Sequence, residues 1–145
     1  MTWTVSYVRK PLEIISGCFD SITKQLAKDY KKFQFNLIQK NGRAEDYVGS
    51  LQWLEDAGMI HRCYNTEATG LPMEGNAIES VFKVYVTDIG MLVTMLGGST
   101  RSDILQGNLG GFKGAIYENL MAMYFTRKGR ACITIGKNPA WNWTS

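Results

Sequence analysis

Residues 43–64, RAEDYVGSLQWLEDAGMIHRCY, are the stretch on which the fold reading turns. Tyr47, Leu51 and Leu54 recur at helical spacing and Val48 widens their stripe, which predicts a helix from Arg43 to Ala57 with one apolar side. Gly58 stands where a helix commonly ends in a left-handed residue. Met59 to Tyr64 then reads as a strand, in which Ile60, Arg62 and Tyr64 alternate with His61 and Cys63. A helix that passes through one glycine into a strand is the unit around which the remaining segments are arranged.

Upstream, Lys40-Asn41-Gly42 is a turn signal. Before it, Phe33, Phe35 and Leu37 alternate with Gln34 and Asn36, which predicts a strand or an extended approach. Asp20-Ser21 offers a helix cap followed by Ile22, Leu26 and Tyr30, while Pro11 and Gly17-Cys18-Phe19 read as interruptions. Downstream, residues 65–80 read as a polar loop, and Phe82, Val84 and Val86 alternate with Lys83, Tyr85 and Thr87 as a half-buried strand. Asp88 caps a short helix, Ile89 to Leu96, that Gly97-Gly98 ends. Residues 99–111 form a second loop with one helical turn near Asp103–Leu105. Residues 112–125 are apolar almost all round, the pattern of a buried helix. Ala131, Ile133 and Ile135 close the series as a strand.

Composition sets the outer bounds. With 145 residues, of which 45% are hydrophobic and 20% charged, the chain can bury a real core and does not have the composition of a disordered segment. The net charge of +3 is too small by itself to imply a nucleic-acid partner. Three cysteines (Cys18, Cys63, Cys132) and one histidine (His61) have no zinc-ligand spacing, and reduced thiols in a cytoplasmic protein are the expectation. No apolar run reaches membrane-spanning length, and the first residues lack the pattern of a secretion signal.

Chemistry finds few footholds. Neither GxxxxGK[ST] nor GxGxxG occurs, so no phosphate-binding loop is expected. His61 and Cys63 share a strand face, but no third residue orients them as a catalytic pair. Glu118 stands out in the apolar helix, where a carboxylate needs a partner, yet residues 119–145 contain no Asp or Glu. It is the one weak catalytic candidate, and no cofactor or metal is expected.

Residues 24–43 carry Lys24, Lys28, Lys31, Lys32, Lys40 and Arg43 against the single acid Asp29, with Tyr30, Phe33 and Phe35 interleaved. Those six cations are the candidate nucleic-acid contacts. The order helix, extended piece, helix, strand and loop resembles a winged helix-turn-helix. In that arrangement the helix before the wing enters the major groove. Here that helix carries Glu45, Asp46, Glu55 and Asp56, which would repel phosphate, so protein contact is the better expectation.

Four segments taken in order, DSITKQLAKDYKKFQF, GRAEDYVGSLQWLEDAGMIHRCYNTE, FKVYVTDIGMLVTML and FKGAIYENLMA, resemble the DUF4143 domain that follows AAA-type P-loop ATPase domains. The resemblance covers roughly residues 19–135. It implies an α+β chain with an N-terminal extension (1–19), a winged-helix-like part (20–80) and a truncated PD-(D/E)XK nuclease-like helix and strand part (81–145). It also implies an accessory, non-catalytic role beside an ATPase domain, with a protein or nucleic acid as partner. A residual nuclease using Glu118 and a dimerisation module are the alternatives. The acidic strand that the family usually places after the helix is missing, and GKNPAWNWTS stands there instead, so a truncated sheet and a homodimer formed across its edge are further expectations.

Overall fold

A computed structural model describes the backbone of residues 5–28, 32–66, 75, 77–108, 110–129, 133–135 and 142–143. Side chains are described over 12–28, 32–66, 75, 78–108, 110 and 112–129. The chain is α+β, with five α-helices and one mixed sheet among the described residues. Helix α1 is Val5–Ala27, α2 is Ala44–Asp56, α3 is Ile89–Leu96, α4 is Thr100–Leu105 and α5 is Lys113–Arg127. Strands β1 (Ile60–Thr66), β2 (Ala77–Val86), β3 (Ile133–Ile135) and β4 (Asn142–Trp143) lie in the order β2-β1-β3-β4. β1 pairs antiparallel with β2 and parallel with β3, and β3 pairs antiparallel with β4.

The stretch quoted first folds as its periodicity demands. Tyr47, Leu51 and Leu54 of α2 are buried, and Gly58 takes φ +72°, a conformation that costs other residues a steric penalty. Val48 is the exception, 47% exposed instead of widening the buried stripe. Asp46 reaches back to accept from the Arg43 backbone N–H at 3.3 Å, closing the first turn. Gly42 stands before the helix because a Cβ there would lie 2.8 Å from both the Phe35 carbonyl oxygen and the Tyr47 ring.

Three expectations are corrected. The break expected at Gly17-Cys18-Phe19 does not occur, nor does Pro11 interrupt the element: α1 runs through both. Cys18, Ile22 and Leu26 lie at i, i+4 and i+8 on its core side, and their burial outweighs a glycine cost of about 1 kcal/mol. The alternating Phe33, Phe35 and Leu37 do not form a strand. Phe35–Leu37 is a turn of 3₁₀-helix, and Phe33 and Phe35 close an aromatic cluster with Tyr47 and Phe82 at centroid distances of 5.3–6.1 Å. Finally, residues 82–86 of β2 are not half-buried. Phe82, Lys83, Val84, Tyr85 and Val86 are all buried, because both α1 and α5 pack on this strand.

The outer edge of β2 is also covered. Phe33 N–H donates to the Phe82 carbonyl at 2.7 Å, and four residues on the side chain of Asn119 takes both backbone groups of Val86. Gln25 does the same for the linker. It accepts from Gln34 N–H at 2.7 Å and donates to the Gln34 carbonyl at 3.1 Å. Two buried amide side chains thus satisfy backbone groups that no strand pairs with.

Candidate functional site

The solvent side of α2 is the most distinctive described surface. On a 100° helical wheel, Glu45, Gly49 and Asp56 share its centre, with Asp46 and Trp53 on one flank and Val48 and Gln52 on the other. All seven are exposed, Trp53 by 51%. Nothing lies within 4 Å of a Cβ built on Gly49, so the middle of this face is bare backbone. The remaining acid is engaged elsewhere: Glu55 accepts from Arg62 Nε at 2.7 Å and from Arg62 N–H at 3.0 Å, tying α2 to β1, while Arg62 Nη2 donates to Gln52. An open groove of about 520 Å³ runs beside α2, floored by Phe33, Phe35 and Phe82 and rimmed by Val48, Lys32 and Glu79.

The expected cations lie around, not on, this helix. Lys24 sits in the last turn of α1 and Lys28 just beyond it, Lys32 on the groove rim, Lys40 in the turn and Arg43 at the α2 cap. All five are exposed, and Arg43 pairs with Glu45 at 3.7 Å. Lys31 lies outside the described residues.

Glu118 has the partner that its position requires. Its Oε2 accepts from Lys83 Nζ at 2.9 Å and from the Tyr85 hydroxyl at 3.1 Å. The Lys83 side chain is 5% exposed and that of Glu118 26%, so the pair is largely withdrawn from water. Next to it, Asn119, 0% exposed, accepts from Val86 N–H and donates to the Val86 carbonyl, both at 2.8 Å. The Glu118-Asn119 dipeptide therefore fastens α5 to β2. Sequence reasoning had located Glu118 but not Lys83, which is separated from it by 35 residues. Asn119 stood beside Glu118 in the segment Gly114 to Asn119 of the resemblance without a role of its own, although an amide in an apolar helix asks the same question as a carboxylate. Among the described residues no group of three or more His, Cys, Asp or Glu could hold a metal.

Of the two described cysteines, Cys63 departs from expectation and Cys18 does not. Cys63 is buried and disulfide-bonded, so it is neither a reduced thiol nor the nucleophile of a Cys63–His61 pair. Cys18 is free and buried, and burial pushes its thiol up to about 11. Cys132 lies outside the described residues. Burial holds the His61 imidazole below its usual value of 6.5, against an opposing pull from Glu55. Among the described residues no helix is long and apolar enough to cross a membrane.

A family model, the domain of unknown function DUF8612, matches residues 6–102, and the chain belongs to that family. The expected membership in DUF4143 is thereby corrected. The four segments that suggested it are amphipathic helices and strands punctuated by glycine, a pattern that many helix–strand arrangements share. The ATPase neighbour was implied by that resemblance alone and goes with it. No curated protein and no solved structure matches the chain.

Proposed function

We propose that this member of the DUF8612 family is a non-catalytic interaction domain. In this reading the part from α1 to β2 is winged-helix-like, and the solvent side of α2 is the docking face for a protein partner. One observation carries the reading: Glu45 and Asp56 lie between the exposed Val48 and Trp53, with Asp46 beside Trp53, on the helix that would otherwise meet the major groove. Carboxylates at those positions would face phosphates of like charge. A protein surface that offers cations together with apolar side chains fits them, and Trp is a residue type on which binding energy concentrates.

A second reading, phosphate contact by Lys24, Lys28, Lys32, Lys40 and Arg43, has the exposure of all five in its favour. Against a residual nuclease stands the engagement of Glu118 by Lys83 and Tyr85. The cytoplasmic setting expected from reduced thiols loses its premise with the disulfide at Cys63 and is not part of the proposal.

Fluorescence anisotropy decides between the two readings. The probes are a labelled helical peptide with two turns of leucine at i, i+3, i+4 and i+7 and lysines at both ends, the same peptide with glutamates at its ends, and labelled duplex and single-stranded DNA. The lysine-ended peptide is expected to bind, and to bind about tenfold more weakly to Trp53→Ala, a loss of about 1.4 kcal/mol. Salt-sensitive DNA binding that Lys28→Glu/Lys32→Glu weakens, with no peptide binding, would replace the protein-docking reading by the second one.

A further inference from the structure

We infer that the chain associates head-to-tail with itself, the basic and apolar side of α5 in one copy seating on the acidic and apolar side of α2 in the next. The inference rests on the reading of α2 as a docking face and names its occupant.

α5 has two apolar sides. Ala115, Ile116, Ala122 and Met123 face the core together with Asn119. The expectation of a helix buried all round is corrected on the opposite side, where Tyr117, Leu120, Met121 and Tyr124 are 51%, 39%, 40% and 55% exposed. Their spacing, i, i+3, i+4 and i+7, makes a continuous outward stripe two turns long. A helix that has already buried one side gains nothing for its own folding from a second, so this stripe is left for another surface.

The charges around the stripe are of one sign. Lys113 Nζ lies 5.9 Å from the Tyr117 ring centroid and Lys128 Nζ 5.9 Å from that of Tyr124, one at each end, with Arg127 exposed beside the second. The helix holds a single acid, Glu118, and Lys83 and Tyr85 engage it. Two α5 stripes laid together would bring Lys113 against Lys128 in the antiparallel sense, or each lysine against its own copy in the parallel sense. The charge pattern therefore disfavours a symmetric pairing of α5 with α5.

The same chain carries the complement. The outward side of α2 has Glu45 near one end, Asp56 at the other, and Val48, Gly49 and Trp53 between. At 1.5 Å per residue the two acids are about 17 Å apart along the axis and the two lysines about 22 Å, a mismatch that flexible lysine side chains span. Gly49 lets an opposing helix come close to the α2 backbone, as small residues do wherever helices approach tightly. Tyr, Met and Arg on one side and Trp on the other are residue types enriched at protein contacts.

Two helix faces make a small contact, so the association is weak. In the head-to-tail arrangement the contact is made once per pair and not reciprocally. Each pair leaves one α2 and one α5 face unused, so further copies can add.

Sedimentation velocity on the full chain, from micromolar to millimolar protein at low and high salt, tests this. The weight-average sedimentation coefficient is expected to climb with concentration without levelling at the dimer, and less steeply at high salt. Lys113→Glu/Lys128→Glu and Glu45→Lys/Asp56→Lys alter exposed groups only, and each variant alone is expected to associate about tenfold more weakly. An equimolar mixture of the two restores association, since each supplies the charge that the other needs. A wild-type chain that stays monomeric, a Glu45→Lys/Asp56→Lys variant that still dimerises alone, or a mixture that does not recover overturns the inference. If the wild type is monomeric while the lysine-ended peptide still binds in a Trp53-dependent way, the inference falls and α2 as a docking face survives. Loss of both removes the two together.

Discussion

Replacing Asn119 by alanine should destabilise the fold without touching any surface discussed above. The side chain is 0% exposed and makes two hydrogen bonds of 2.8 Å to the backbone of Val86, itself 0% exposed. Alanine keeps the helix but leaves a buried N–H and a buried carbonyl without partners, at about 1–3 kcal/mol each. A total loss of about 3–4 kcal/mol is expected, a large share of the 5–15 kcal/mol that holds an ordinary domain together. In urea, with a slope of about 1–3 kcal/mol per molar for a protein of this size, the unfolding midpoint should fall by more than about 1 M at unchanged slope. Asn119→Asp sharpens the test. As a carboxylate it accepts from Val86 N–H but has nothing to donate, whereas as the neutral acid it reproduces the donor and acceptor pattern of the amide. Burial raises the folded-state value of this carboxyl, so its deficit relative to wild type is largest well above pH 4, the ordinary aspartate range, and shrinks as pH falls towards it. A loss under about 1 kcal/mol for Asn119→Ala, or a deficit for Asn119→Asp that stays the same from pH 7 to pH 4, would refute the argument that this amide stands in for a strand.

The ion pair behind it should couple. Glu118→Leu is expected to cost about 2–3 kcal/mol and Lys83→Met a comparable amount, while the double variant recovers at least half of their sum; strictly additive losses in a urea double-mutant cycle would contradict a specific pair. Under non-reducing conditions Cys18 should resist iodoacetamide at pH 8 by about a hundredfold relative to the urea-unfolded chain, since burial keeps it protonated; fast native-state labelling mapped to Cys18 by mass spectrometry would show the site to be open. The depressed His61 value means that the unfolded chain binds a proton before the folded one does. Stability should therefore decline as pH falls below about 6.5, and His61→Gln should flatten that part of the curve; an unchanged slope would place the acid sensitivity elsewhere.

Legibility followed the range of the interactions involved. The α2 stripe, the glycine after it, strand β1 and the Asp88 cap, whose side chain accepts from Met91 N–H at 3.0 Å, all depend on neighbours within a few residues, and periodicity and cap chemistry revealed them. The same local rules misread Gly17 and the alternating phenylalanines at 33 and 35. Core burial kept α1 continuous through the first, and the pull of Tyr47 and Phe82 folded the second into a turn. Local rules could flag Glu118 as needing a partner but could not name it, because Lys83 and Tyr85 come from a strand more than thirty residues away.

What the sequence determined by itself was α2, β1, the second half of β2, α3, α5 and β3, and the sign of the charges along them, since both are properties of spacing and residue type; β4 and the first half of β2 were not read from it. Only the tertiary structure decided that one side of α5 stays wet. α1 and α5 both pack on β2, where Lys83 and Tyr85 are buried, and Glu118 and Asn119 turn inward to meet it while Tyr117, Leu120, Met121 and Tyr124 face out. A hydrophobic pattern shows that a side chain can be buried. Whether it is depends on which other element arrives to cover it, and that is set by contacts between segments far apart in the chain.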